Sequence, residues 1–243
     1  MLKQNLPNAL TLSNLLCGFL AIQQLLAGNA EMVPLLMLLS GVFDFFDGMT
    51  ARALNVSSPI GKDLDSLADM VSFGVLPAMM AYRLIAEAQL GAMLPGEEVK
   101  ELFLAFPASL ALLIVVFSAY RLAKFNHDTR QSSSFIGVPT PANALFWAGL
   151  WIGFHNGTLG SWNPWLIGGI AVAMSFLLVS EIPMFSFKLK SLKWKGNEAQ
   201  YSLLILSLPL FIWLKLTALA PFIGLYMFIS LIQHISGKKE SLS

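Results

Sequence analysis

The feature that most constrains this chain is a repeated one: apolar runs at about 9–28, 32–51, 66–87, 101–124, 140–156, 163–185, 199–215 and 217–236, each bounded by polar or Pro/Gly-rich breaks. Each run is close to the roughly 20 residues an α-helix needs to cross the hydrocarbon core of a bilayer. Of the 243 residues, 56% are hydrophobic and only 12% charged, against roughly 25% charged in an ordinary soluble domain. A water-soluble fold could not hide so much apolar surface. The expectation is an all-α fold, one integral membrane domain over 1–243, built as a polytopic helical bundle of about eight transmembrane helices. Lys3 ahead of the first run resembles the start of a signal peptide, but Asn8, Thr11 and Asn14 interrupt the run and no convincing cleavage site follows, so it reads as a helix.

With so few charges, their positions carry information. If the N-terminus is cytoplasmic, twelve of the fifteen Lys and Arg fall in inner segments, and only Arg83, Lys100 and Lys215 fall elsewhere. That split follows the positive-inside rule and puts both termini in the cytoplasm. Glu97 and Glu98, beside Pro95, suit an outer loop. The net charge of +1 offers no excess for nucleic acid, and the single cysteine, Cys17, excludes an internal disulfide and a thiolate zinc site.

Five of the six aspartates lie between 44 and 69. Asp44 and Asp47 close the second run at a spacing that puts both carboxylates on one helical face; Asp65 and Asp69 open the third, again on one face. The 48–64 segment is short enough for the two helices to pack as an antiparallel pair, so four carboxylates meet near the cytoplasmic surface. Such a group needs protons or cations to offset its repulsion, and oxygen-only ligands favour Mg²⁺ or Mn²⁺. Gly48, Ala51 and Gly61 let the backbone approach a bound group closely. Arg52, eight residues after Asp44, suits a phosphate. An aspartate pair in a membrane helix, taken without its spacing, equally suits a cation-coupled transporter.

The full pattern is more specific. Asp44-x2-Asp47-Gly48-x2-Ala51-Arg52-x8-Gly61-x3-Asp65-x3-Asp69 resembles the complete signature of the CDP-alcohol phosphotransferase family. The resemblance implies that Asp44, Asp47, Asp65 and Asp69 bind two divalent metals, that the metals hold the pyrophosphate of a CDP-linked substrate, that Asp69 is the catalytic base, and that the protein is a homodimer. Asn8 and Thr11, on a polar face with Pro7, Asn14 and Gly18, join Gly48, Ala51, Arg52 and Gly61 as candidate CDP-diacylglycerol contacts.

Three further stretches resemble the branch of that family that makes phosphatidylserine: Arg121-x2-Lys124-Phe125-Asn126, Phe135-x-Gly137-x-Pro139-x-Pro141-Ala142, and Glu181-Ile-Pro183-Met-Phe-Ser186-Phe-Lys188. The resemblance covers a core of about 7–190, with two additional C-terminal helices over 199–236. It implies transfer of a phosphatidyl group from CDP-diacylglycerol to L-serine with release of CMP, in the cytoplasmic membrane with the active site facing the cytoplasm. Glycerol phosphate and inositol phosphate are the alternative acceptors. Arg121, Lys124 and Asn126 are the candidate serine contacts, with Arg130, Ser132, Ser133 and Ser134 in the same loop. Lys124 stands where the branch often has Arg, which keeps the charge and loses the bidentate fork. His127, His155 and His234 are isolated and read as structural or exposed.

Overall fold

The structure, a computed structural model, describes residues 2–56, 58–91, 106–128, 135–186, 193–194 and 196–240, with side chains from residue 5 to 235. Arg130, Ser132, Ser133, Ser134, Lys188, Lys190, Lys195, Glu97, Glu98 and Lys100 lie outside the described residues. What is described is all-α apart from one two-residue ribbon. The helices are α1 Leu2–Leu26, α2 Met32–Ala53, α3 Pro59–Asp69, α4 Leu76–Leu90, α5 Leu112–His127, α6 Thr140–His155, α7 Pro164–Val179, α8 Glu198–Leu214 and α9 Leu219–Glu240. A π-helical turn, Met70–Val75, joins α3 to α4 without a break, so Pro59–Leu90 is one continuous rod.

The helices overlap the eight apolar runs where these are described, and among the described residues five spans are long and apolar enough to cross a membrane, with Glu198–Ile235 counted as one. That last stretch is folded back on itself: Lys215 adopts a positive φ, Phe211 packs against Phe222, and Leu203 packs with Ile223 and Tyr226. The α6 and α7 helices have 16 residues each, about 24 Å at 1.5 Å per residue, a little less than the roughly 30 Å hydrocarbon core. Large apolar side chains face outward along α1, α2, α8 and α9, with Trp213 86% exposed, as a lipid-facing surface requires.

The inner faces make one central core, in which Met37, Leu76, Met80, Trp147, Trp151 and Ile167 are almost wholly buried. The α1 and α2 pair is close, and α1 also lies tightly on the π-helical turn: a Cβ on Gly18 would stand 2.2 Å from Ser72 Oγ. A smaller core of Val138, Met184, Leu203, Ile223 and Tyr226 lies under the ribbon, where β1 Phe135–Ile136 pairs antiparallel with β2 Pro183–Met184. Gly137 follows β1 at φ +75°, and a Cβ there would sit 2.6 Å from the Leu178 carbonyl oxygen, so only glycine fits.

Arg83, one of the three charges that broke the positive-inside pattern, is not a surface charge. It is buried, pairs with Glu87 at 2.9 Å and donates to the Leu25 carbonyl; Glu87 also meets His155 Nε2 at 3.4 Å, so His155 is structural rather than isolated. Trp151, stacked on His155, donates from Nε1 to the Ala30 carbonyl at 2.8 Å. This network ties α1, α4 and α6 together at the end of the bundle opposite the aspartates.

Candidate active site

Local sequence places the acidic residues. α2 stops after Ala53 because Asn55 takes a left-handed φ of 51°, which Asn tolerates, while the Asn55 and Val56 amides close on the last carbonyls of the helix. α3 starts almost at once: Ser58 Oγ accepts from the Gly61 amide at 3.0 Å, and Pro59 occupies the first helical position. A connection this short forces the end of α2 beside the start of α3. Asp44 and Asp47 therefore face Asp65 and Asp69.

One carboxylate oxygen from each of Asp44, Asp47 and Asp65 lies within 4.8 Å of the other two. Asp47 is buried and the others half-buried. Three anions so close, screened from bulk water, repel strongly unless a cation lies among them. With oxygen donors only, the group fits a hard divalent cation. Asp69 stands beside this trio, its carboxyl against that of Asp44.

The polar face of α1 serves these carboxylates directly. Thr11 Oγ1 donates to Asp47 Oδ2 at 2.6 Å, and Asn14 Nδ2 donates to Asp69 Oδ1 at 3.3 Å. Ser72, in the π-helical turn just past Asp69, donates to the Asn14 carbonyl at 3.2 Å. A π-turn adds a residue to the helical cycle and shifts the faces on its two sides relative to each other. Here Asp69, just before the turn, lies against Asp44, while Ser72, Phe73 and Gly74 within it are buried.

A cleft of about 170 Å³ opens beside Asp47 and Asp65. Its walls contain Asn8, Thr11, Gly48, Ala51 and Gly61, five of the six residues expected to contact the nucleotide lipid. The sixth, Arg52, is exposed, with its guanidinium 3.3 Å from where a Cβ on Gly48 would be. Three wall residues, Val56, Ser58 and Lys62, were not anticipated. Lys62 reads in the sequence as one more topological charge, and only its place next to Gly61 hinted at more.

The three residues expected at serine part company. Arg121 is buried, 7% exposed, donates to Thr140 Oγ1 at 3.3 Å, lies over the Phe125 ring and is within electrostatic range of Asp69. Lys124 instead pairs with Glu181, and Asn126 Nδ2 donates to Ser66 Oγ at 2.8 Å. The Lys124 pair and the β1–β2 ribbon bring together the three stretches that had pointed to one branch of a family.

Comparison with known proteins identifies the family. The family model described as CDP-alcohol phosphatidyltransferase matches residues 4–213. A CDP-diacylglycerol–serine O-phosphatidyltransferase of Bacillus subtilis is 35% identical over 184 residues, covering 75% of this chain and 91% of the relative. One from Helicobacter pylori strain J99 is 33% identical over 233 residues, 94% of this chain and 90% of its own. An archaetidylserine synthase of Methanothermobacter thermautotrophicus is 30% identical over 181 residues, 73% of this chain and 68% of its own.

Proposed function

The chain belongs to the CDP-alcohol phosphatidyltransferase family and is a membrane transferase, and from this premise we infer that it transfers the phosphatidyl group of CDP-diacylglycerol to L-serine, giving phosphatidylserine and CMP. Membership of a transferase family removes the cation-coupled transporter. The observation that carries the reading is the Asp44, Asp47 and Asp65 group, with Asp47 and Asp65 in the cleft wall and the Asp69 carboxyl against Asp44. The serine acceptor is supported by the names of the relatives and by Arg121, a cation suited to a carboxylate, within range of Asp69.

In this reading the serine hydroxyl oxygen attacks the phosphorus of the phosphatidyl group, the bond from that phosphorus to the CMP oxygen breaks, and CMP leaves. Asp69 accepts the hydroxyl proton, held in place by Asn14. Two divalent ions, Mg²⁺ or Mn²⁺, held by Asp44, Asp47, Asp65 and Asp69, would supply neutralisation of the pyrophosphate charge. Arg52 and Lys62 sit where they can hold phosphate oxygens, and Gly48, Ala51 and Gly61, with Asn8 and Thr11, leave room for the cytidine nucleotide. Arg121 holds the serine carboxylate, while Lys124 pairs with Glu181 and Asn126 with Ser66. The cleft faces the cytoplasm, and the protein works as a homodimer.

The test is a reconstitution. Purified protein with CDP-diacylglycerol, Mg²⁺ or Mn²⁺ and labelled serine should yield labelled phosphatidylserine and CMP in equal amounts. Product from glycerol 3-phosphate or an inositol phosphate, with none from serine, would refute the acceptor assignment.

A further inference from the structure

Among the described residues, buried polar groups in this bundle are mostly satisfied. Ser40, Ser175 and Ser230, all buried, each donate to a carbonyl of their own helix. The exceptions gather in one region. Six buried side-chain atoms lack a hydrogen-bond partner: Asn14 Oδ1, Ser118 Oγ, Arg121 Nε, Asn143 Nδ2, Asn143 Oδ1 and Trp147 Nε1.

Their placement follows helical spacing. Ser118 and Arg121 are one turn apart on α5; Thr140, Asn143 and Trp147 form a stripe on α6; and Thr140 accepts from Arg121, joining the two sets. Ser118 packs on the π-helical turn, where a Cβ on Gly74 would be 3.2 Å from its own Cβ. Asn14, on α1, already holds Asp69 through its amide nitrogen. Asn14 and Arg121 thus flank the proposed base, Ser118 adjoins the π-helical turn that follows it, and Asn143 lies one turn along α6 from the Thr140 that meets Arg121, none of them in the wall of the cleft lined by Gly48 and Gly61.

An unsatisfied buried donor or acceptor is costly, and a cluster with both kinds requires a guest with both. A cation with free N–H beside an amide offering one donor and one acceptor complements a zwitterion. We propose that Arg121, Asn143 and Ser118 form the pocket for the amino-acid end of the acceptor. Arg121 Nε and Asn143 Nδ2 face its carboxylate, and Asn143 Oδ1 its ammonium. Asn14 Oδ1 is a second acceptor on the Asp69 side. The inference rests on the serine reading above and adds to it the residue that recognises the ammonium. It makes Asn143 a specificity residue: an acceptor lacking either charge leaves part of the amide unpaired.

Steady-state kinetics test it, with serine and CDP-diacylglycerol varied in turn for the wild type, Asn143→Ala and the near-isosteric Asn143→Asp. Ethanolamine, which lacks the carboxylate, and 3-hydroxypropionate, which lacks the ammonium, serve as competitors. Asn143→Ala should raise the serine KM about tenfold or more, the loss of charge-assisted hydrogen bonds, with the CDP-diacylglycerol KM within about twofold. It should also erase the wild-type preference for serine over 3-hydroxypropionate. Asn143→Asp, which places an anion beside the carboxylate, should weaken serine while leaving ethanolamine inhibition at least as strong.

An active wild type whose two variants keep the serine KM overturns this inference and leaves the proposed function standing. A wild type that forms no phosphatidylserine overturns the function and the inference together. If both variants lose CDP-diacylglycerol binding and a folded elution profile, the cluster is structural and the pocket is refuted.

Discussion

Replacing Asp69 with Asn separates chemistry from structure at this site. The change is nearly isosteric, and the new amide oxygen can still accept from Asn14 Nδ2, now 3.3 Å from Asp69 Oδ1. The bond passes from charge-assisted to neutral, a loss of about 1 kcal/mol. Removing one anion from beside Asp44 offsets that loss, so folding stability should change little. What disappears is the proton acceptor and one anionic ligand of the proposed metal site, so turnover is compared at saturating Mn²⁺. General base catalysis is worth about 10²–10⁴-fold, or about 3–5 kcal/mol of barrier. The expected result is a fall of that size in kcat for labelled phosphatidylserine, with CDP-diacylglycerol binding falling far less and the unfolding midpoint in detergent close to wild type. Turnover within about threefold of wild type, or a loss fully accounted for by weaker CDP-diacylglycerol binding, would refute Asp69 as the base.

Other predictions follow from the same contacts. Thr11→Val removes the 2.6 Å hydrogen bond to Asp47 at almost constant volume; divalent-ion affinity, read by titrating activity with Mn²⁺, should weaken about 10–100-fold. Chelation with EDTA should abolish product formation, and Mg²⁺ or Mn²⁺ should restore it. Gly137→Ala puts a Cβ 2.6 Å from the Leu178 carbonyl in a backbone conformation alanine disfavours, and should lower stability by about 2 kcal/mol in denaturant unfolding. Gly18→Ala should cost about 1–3 kcal/mol through its clash with Ser72 Oγ, and Ser72→Ala in the same chain should recover part of it.

Much of the site is readable along the chain because its parts are close in sequence. Asp44 to Asp69 span two helices joined by a short turn, so periodicity alone brings the carboxylates together. The polar stripe of Asn8, Thr11 and Asn14 is visible as an interruption in an apolar run, although its partners are not. That Thr11 serves Asp47 and Asn14 serves Asp69 depends on how α1 lies against α2 and the π-helical turn. Lys62 shows the opposite problem. A lysine at a helix start looks like a topological charge, and only the cleft reveals what it lines.

Hydropathy and charge, summed over segments, determined that this is an all-α membrane protein, and residue spacing determined which family its acidic cluster belongs to. Both are local properties, written in lengths of about one or two helices. Contacts across 19 to 68 residues were settled by packing alone: Arg121 buried against Thr140, Lys124 drawn away to Glu181, Asn126 tied to Ser66, and Glu87, already paired with Arg83 on its own helix, brought to His155. In a bundle poor in charge, each polar group must find a partner or a ligand. Which one it finds depends on the side chains that neighbouring helices bring within about 3 Å, and only the tertiary arrangement decides that.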